Sequence, residues 1–81
     1  MSTSANADTF VVIFPNYYGK GRTIAEAVKA ARKAGWDSRG KSTARVYAFS
    51  CRPEDLIVRA DVWVSFQYPD GTLVLQWEEK L

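Results

Sequence analysis

Residues 23–35 decide the fold of this 81-residue chain, and they read Thr23-Ile24-Ala25-Glu26-Ala27-Val28-Lys29-Ala30-Ala31-Arg32-Lys33-Ala34-Gly35. Thr23 and Glu26 have the spacing of a capping box, in which each side chain accepts a hydrogen bond from a backbone N–H near the first turn. Gly35 suits the left-handed conformation in which many helices end. The sequence therefore predicts a helix that begins after Thr23 and ends before Gly35.

The predicted helix has one apolar stripe. Its members recur at the i, i+3, i+4 and i+7 spacing of a helix face, and they are Ile24, Ala27, Val28 and Ala31. Because most of these side chains are small, we expect the helix backbone to lie close to a sheet. A single helix of this length is marginal in water, so the helix and the sheet must stabilise each other.

Runs of β-branched and aromatic residues predict the strands of that sheet. One strand, 9–14, precedes the helix, and three strands follow it at 43–51, 57–68 and 72–78. The sequence Pro69-Asp70-Gly71 predicts a hairpin turn between the last two strands. In the last strand Leu73, Leu75 and Trp77 are expected on the core face, which leaves Val74, Gln76 and Glu78 on the other face.

The predicted fold is α+β, a two-layer β-α-β-β-β sandwich with one helix packed on a mostly antiparallel four-stranded sheet. Residues 1–8 are expected to form a flexible N-terminal tail, and residues 9–81 a single domain. A chain of 81 residues has room for one modest core. Its hydrophobic content of 47% is typical of a folded domain rather than a disordered one.

Composition argues against several kinds of chemistry. The chain has no histidine and one cysteine, Cys51, so neither a Ser-His nor a Cys-His pair nor an intrachain disulfide is available. No carboxylate spacing suggests a metal site. The N-terminal residues lack the pattern of a signal peptide, and no apolar run approaches the ~20 residues of a membrane span. We therefore expect a cytoplasmic protein that is not an enzyme, with no cofactor and no membrane partner.

The segment 16–22 is predicted to be a glycine-containing loop that leads into the helix. Backbone N–H groups at a helix N-terminus favour anions, so the sequence makes this loop a candidate anion site. Its candidate residues are Gly19, Lys20, Gly21 and Arg22. The spacing matches neither a phosphate loop nor a dinucleotide fingerprint. A tight strand-to-helix turn that needs glycines is therefore the favoured interpretation.

Basic residues are concentrated between positions 20 and 45, although the net charge of the whole chain is only +2. The candidates for nucleic-acid contact are Lys29, Arg32, Lys33 and Arg39, together with the loop residues Lys20 and Arg22. Basic groups with aromatic neighbours bind single-stranded nucleic acid by charge and stacking. A solvated helix face is the alternative, and it is favoured because the sequence pI of ≈ 8.9 is below the range usual for such domains.

A single helix covers one face of a sheet, so the second face is expected to be exposed. Ile57, Trp63 and Val74 are the candidate interface residues on that face, together with part of the first strand. An apolar patch centred on a tryptophan often marks a protein interface, and a homodimer would bury it most simply. The alternative is that the curved sheet or the N-terminal tail covers the patch.

One stretch resembles a known family. The run Phe14-Pro15-Asn16-Tyr17-Tyr18-Gly19-Lys20-Gly21-Arg22-Thr23-Ile24-Ala25-Glu26-Ala27 is similar to the strand–glycine loop–helix segment of HicB-type antitoxins. In that family a phenylalanine-proline turn leads to a glycine and then to a Thr-x-x-Glu-Ala helix start. The family places its main strands before the helix, whereas one strand is predicted before it here. The chain is therefore not assigned to the family, and no functional residue is transferred.

The sequence favours a small non-catalytic protein-interaction domain of unknown process that associates with itself through a sheet face or edge. The size and composition suit a protein encoded by a phage or plasmid. A nucleic-acid or phosphate-binding protein that uses the basic helix and the glycine-containing loop is the alternative function. A third hypothesis is a subunit of an enzyme whose chemistry lies on another chain.

Overall fold

The computed structural model describes residues 7–35, 43–60 and 63–81. The elements in chain order are β1 (Thr9–Phe14), β2 (Tyr17–Gly21), α1 (Ile24–Ala34), β3 (Thr43–Phe49), a short 3₁₀ turn (Pro53–Asp55), β4 (Ile57–Ala60), β5 (Val64–Gln67) and β6 (Leu73–Lys80). Several predictions fall outside the described residues, namely the tail at 1–6, the segment 36–42 with the nucleic-acid candidate Arg39, and positions 61–62 of the predicted third strand.

The α+β class is confirmed, with one helix packed on a four-stranded antiparallel sheet. The strand order of this main sheet is β2-β1-β3-β6, and every neighbouring pair is antiparallel. Strands β4 and β5 form a separate antiparallel hairpin. In the part of the chain that the structure describes, β2 and β6 are therefore the two edges of the main sheet.

The prediction of a loop at 16–22 is wrong, because this segment contains strand β2. Pro15 and Asn16 make a two-residue turn, with Asn16 at a φ of 70°, and β2 then pairs antiparallel with β1. Proline followed by a residue of positive φ is typical of a type II turn. Two strands therefore precede the helix, and the order is β-β-α-β-β-β-β. A single predicted strand before the helix was one of the differences from the HicB-type segment. Because the structure has two strands there, that difference does not hold.

The prediction of one long strand at 57–68 is also wrong. This segment contains β4 and β5, which pair with each other, so that Val58 faces Phe66 and Ala60 faces Val64. The alternation of the two faces continues without a break along residues 57–68, although the chain reverses direction between β4 and β5. The pattern alone therefore does not distinguish a hairpin from a single strand. Strand β6 does not return along β5 as predicted, because it pairs with β3.

The helix begins and ends as predicted. Thr23 Oγ1 accepts from the Glu26 N–H at 3.1 Å. Glu26 Oε1 accepts from the Arg22 N–H at 3.2 Å, whereas a capping box pairs this carboxylate with the N–H of the capping residue, here Thr23. Gly35 has a φ of 123°, and its N–H donates to the Arg32 carbonyl at 3.0 Å. Capping residues at both ends thus fix the length of α1.

The helix lies very close to β2, as the small side chains of its stripe predict. Ala27 and Ala31 are fully buried against the sheet together with Val12 and Phe14 of β1. A Cβ atom placed on Gly19 of β2 would lie 1.8 Å from the Ala27 carbonyl oxygen. Only glycine fits at that position, and this requirement explains a glycine inside a strand.

The β4–β5 hairpin covers the other face of the main sheet over its central strands. Val11 of β1 and Phe49 of β3 are fully buried there, with Leu56 and the partly buried Phe66 packed on them. This hairpin is a third layer that the two-layer prediction did not contain. The expectation that part of the first strand is exposed is therefore wrong.

The helix does not cover strand β6. Leu73 and Leu75 were predicted to face the core, but 38% and 52% of their surfaces are exposed, and only Trp77 of the three is partly buried. The helix packs on β2, which is the other edge strand of the sheet, and on its neighbour β1. For Leu75 the prediction failed because the sequence does not show how far a helix reaches across a sheet. Leu73 pairs with Phe49 and therefore lies on the hairpin face, because the register shifts between Ala48 and Phe49.

Candidate interaction surface

A groove runs along the open edge of β2. The helix residues Ala30 and Ala34 form one wall, and Ala60 of the β4–β5 hairpin lies on the other side. The cavity between them has a volume of about 430 Å³. Strand β2 pairs only with β1 among the described residues, so its outer edge faces this groove. An exposed edge flanked by two walls has the form of a site for an added strand.

The end of the groove near the β1–β2 turn is aromatic. Tyr17, Tyr18 and Trp63 line a second cavity of about 320 Å³ there, beside Asn16 of the turn. Trp63 is 75% exposed, which is the largest exposure among the big apolar residues that the structure describes. Aromatic side chains that stand out of a fold in this way are common centres of protein interfaces.

The flank of the groove on α1 is basic. Lys29 and Lys33 are exposed and line a cavity of about 260 Å³ with Glu26, the acidic residue of the helix cap. Both lysines stand beside Ala30, which also lines the groove. The flank therefore combines small apolar side chains with positive charge.

The structure accounts for three of the loop anion candidates by folding alone. Gly19 and Gly21 lie in β2, where a Cβ atom would meet the helix at 1.8 Å and 2.6 Å respectively. Lys20 points to the opposite face of the sheet, and its ammonium group donates to the Pro53 carbonyl at 2.9 Å and to the Leu56 carbonyl at 3.0 Å. Each of these residues has a structural role.

We predict that Lys20→Met lowers the free energy of unfolding by about 1–3 kcal/mol. The methionine keeps the aliphatic length of the side chain but removes one donor from each of the carbonyls of Pro53 and Leu56. The Pro53 carbonyl keeps the Leu56 N–H, which donates to it at 3.3 Å. Urea unfolding measures the loss, and Lys29→Met is the matched control, because Lys29 is exposed. Equal stability of the two variants would show that the two Lys20 hydrogen bonds contribute nothing.

The remaining basic candidates within the described residues lie on or next to the helix. Lys29, Arg32 and Lys33 are exposed, and Arg22 precedes the helix, where its N–H is bonded to the Glu26 carboxylate. This carboxylate occupies the N-terminal end of α1, where an anion would otherwise bind. The helix end is thus less suited to an anion than the sequence alone predicts.

Strand β6 is the second open edge of the main sheet, and it divides into two halves. The first half carries the exposed apolar residues Leu73, Val74 and Leu75. The second half carries Glu78 and Glu79, both exposed. Among the described parts of the chain, β6 pairs only with β3. The pairing with β3 is irregular in the first half, where Ala48 faces Leu75 and Phe49 faces Leu73. The unpaired backbone groups of an open edge strand are a template for pairing with another chain.

The three interface candidates from the sequence do not lie on one face of one sheet. Ile57 and Trp63 belong to the β4–β5 hairpin and are 51% and 75% exposed, whereas Val74 lies in β6 and is 40% exposed. Sequence reasoning missed Leu73 and Leu75, since their alternation also fits a buried face. The signal that could have identified them is the strand's position at the end of the sheet, which the sequence does not show.

Comparison with known proteins adds no assignment, because no family model, no curated protein and no solved structure matches this chain. Over residues 7–35, 43–60 and 63–81, no group of three or more cysteine, aspartate or glutamate side chains is placed to hold a metal ion. No helix in the same residues combines the length and the apolar character that crossing a membrane requires.

Proposed function

We propose that this chain is a small protein-interaction domain that associates with itself through the open edge of β6. One observation carries the proposal: an eight-residue edge strand exposes three consecutive apolar side chains, Leu73, Val74 and Leu75. Unpaired backbone groups on such an edge form hydrogen bonds with an added strand. Burial of the three side chains would add an apolar contribution to that pairing.

The expected contribution of each side chain follows from its exposure. Full burial of a leucine or valine contributes about 1.5–3 kcal/mol, and between 38% and 52% of these three side chains is exposed. Burial of the exposed parts therefore contributes about 1 kcal/mol each. The backbone hydrogen bonds of a new ladder fix the register in which the strands meet.

The basic residues favour a protein partner over nucleic acid, because one of them is bonded within the fold and the others are few. Lys20 is bonded to two carbonyl groups, so the fold itself uses its ammonium group. Lys29, Arg32 and Lys33 are exposed basic residues of α1, and Arg22 is exposed just before the helix. Four basic residues beside Glu26, in a chain of net charge +2, make a weak electrostatic footprint for nucleic acid.

The proposal is tested with Leu75→Lys. We expect this variant to raise the dissociation constant for self-association at least about tenfold, because a lysine on a sheet edge opposes pairing. Sedimentation equilibrium measures the constant. Ile57→Lys is the matched control, since Ile57 and Leu75 are almost equally exposed, at 51% and 52%. If Ile57→Lys dissociates the protein while Leu75→Lys does not, the contact lies on the hairpin and the proposal is wrong.

A further inference from the structure

We infer that the association is head-to-tail, with β6 of one copy added to the open edge of β2 in the next copy. This inference rests on the proposed self-association, and it names the surface that receives β6. The two edges of the main sheet differ in shape and charge. Their differences are complementary, which is the condition for a heterologous interface.

The strand directions allow this addition without a reversal of the second copy, apart from the ordinary twist of the sheet. Each neighbouring pair in the order β2-β1-β3-β6 is antiparallel. Three reversals separate β2 from β6, so these two strands run in opposite directions within one molecule. A second copy in the same orientation therefore brings its β6 antiparallel to β2 of the first, and the sheet continues with the same pattern of pairing.

The turn before β2 determines which backbone groups are available at this edge. Phe14 and Tyr17 face each other across the two-residue turn, and the hydrogen bond of a β-turn joins its first and fourth residues. Because bonded pairs alternate along an antiparallel ladder, Tyr17 and Gly19 direct their N–H and C=O groups to β1. The N–H and C=O groups of Tyr18 and Lys20 therefore point into the groove.

The groove beside β2 has room for the side chains of β6 that the helix of their own copy leaves exposed. Trp77 pairs with Val46, and Val46 pairs with Val12, so Trp77 lies on the face of the sheet that carries the helix. Leu75 lies on the same face, two residues away, and is 52% exposed. In the next copy, the small side chain of Ala30 leaves room above the β2 edge for these larger ones.

The charges also agree with the direction of pairing. Antiparallel addition puts the second half of β6, with its glutamates, beside the beginning of β2 at Tyr17. The end of α1 lies over Tyr17, because a Cβ atom on Gly35 would be 3.1 Å from the Tyr17 ring. Lys33 is in that last turn of the helix. Glu79 lies on the helix side of the sheet, since it pairs with Ala44, so Lys33 and Glu79 come together across the contact.

Pairing of β6 with a second β6 lacks charge complementarity. An antiparallel pair centred on Val74 matches apolar residues over only three positions, Leu73 to Leu75. A pair centred on Leu75 also sets Leu73 opposite Trp77, and a pair centred on Gln76 sets Glu78 opposite Val74. None of these arrangements places a basic residue opposite the glutamates, whereas the β2 edge has lysines on its flank.

The test uses two variants that each block one edge. Leu75→Lys blocks β6, and Ala30→Glu fills the groove with a carboxylate that also repels Glu79. Sedimentation velocity compares each variant with the equimolar mixture. We expect both variants alone to stay at the monomer mass of 9.1 kDa and the mixture to form a dimer and nothing larger. In each mixed dimer, the intact β6 of Ala30→Glu pairs with the intact β2 of Leu75→Lys, and the two remaining edges are blocked. The unmodified chain has two intact edges in every copy and therefore forms larger assemblies.

Controls separate a blocked edge from a damaged fold. Ala25→Glu is the matched control for Ala30→Glu, because it introduces the same side chain at an exposed position of the same helix, and it should associate like the unmodified chain. Circular dichroism verifies that both variants fold, and Ala34→Glu replaces Ala30→Glu if that variant does not. Hydrogen exchange in the mixture should become slower at the amides of Tyr18 and Lys20.

Three results would overturn the inference in distinguishable ways. If Ala30→Glu forms dimers alone, β6 pairs with itself, and self-association through β6 stands without the head-to-tail mode. If the mixture stays monomeric while the unmodified chain associates, β6 does not add to β2. If the unmodified chain is a monomer at every concentration, the proposed function itself fails, and this inference fails with it.

Discussion

Gly19→Ala is expected to destabilise the fold strongly. A Cβ atom at this position would lie 1.8 Å from the Ala27 carbonyl oxygen and 2.6 Å from the Ala31 nitrogen. Both are backbone atoms of α1, so no side chain can rotate away and the helix must move as a whole. That movement would open the buried contact with Val12. Overpacking usually costs about 1–3 kcal/mol, and we expect at least the upper end of that range here.

Urea unfolding of two glycine variants measures this effect. Gly71→Ala is the control, because its Cβ atom would meet nothing within 4 Å, although its φ is +76°. The positive φ alone costs an alanine about 1–2 kcal/mol. A total stability of about 5–15 kcal/mol is usual for a domain, so the Gly19 variant should be mostly unfolded at moderate urea concentrations. Equal losses at Gly19 and Gly71 would contradict the close approach of helix and strand.

Phe49→Ala is expected to detach the β4–β5 hairpin from the main sheet. Phe49 is fully buried, and its ring centroid lies 5.4 Å from that of Phe66 and 5.0 Å from that of Tyr68. Removal of a buried phenylalanine costs about 3–5 kcal/mol, because a cavity replaces the ring. The loss falls on the contact between β3 and the hairpin, since that is where the ring packs.

Urea unfolding and amide exchange together test this prediction. The free energy of unfolding should fall by about 3–5 kcal/mol, and the amides of β4 and β5 should exchange faster than those of β1. Trp63→Ala is the control for the loss of an aromatic side chain, because Trp63 is 75% exposed. Its expected cost is less than about 1 kcal/mol. If Trp63→Ala destabilises the protein as much as Phe49→Ala does, the hairpin is not anchored by Phe49.

The parts of the fold that depend on short-range chemistry were predictable from the sequence. Thr23, Glu26 and Gly35 specify the ends of the helix through hydrogen bonds within a few residues. The small residues of the helix stripe, such as Ala27 and Ala31, predicted a close approach to the sheet. That approach in turn explains the glycines of β2, although the sequence alone predicts a loop there.

The parts that depend on long-range pairing were not predictable. The alternation over 57–68 is the same for a hairpin as for a single strand, so β4 and β5 were merged. The partner of β6 is β3 rather than the strand before it, and no local pattern encodes that choice. For the candidate surface, the sequence identified Val74 and Trp63 but placed Leu75 in the core. Leu75 is exposed because β6 is an edge strand. Whether a strand lies at the edge depends on the pairing of the complete sheet.

The mass of the unmodified protein in solution tests the central claim most directly. Sedimentation equilibrium over about 1 μM to 1 mM covers association free energies of about −8 to −4 kcal/mol, and each concentration is measured at low and high salt, with and without a mixed oligonucleotide. We predict a mass that rises with concentration above the 9.1 kDa of one chain, also at high salt, because apolar contacts contribute to the association. A constant monomer mass would contradict self-association, and a mass gained only with the oligonucleotide at low salt would instead support binding of nucleic acid by the basic helix.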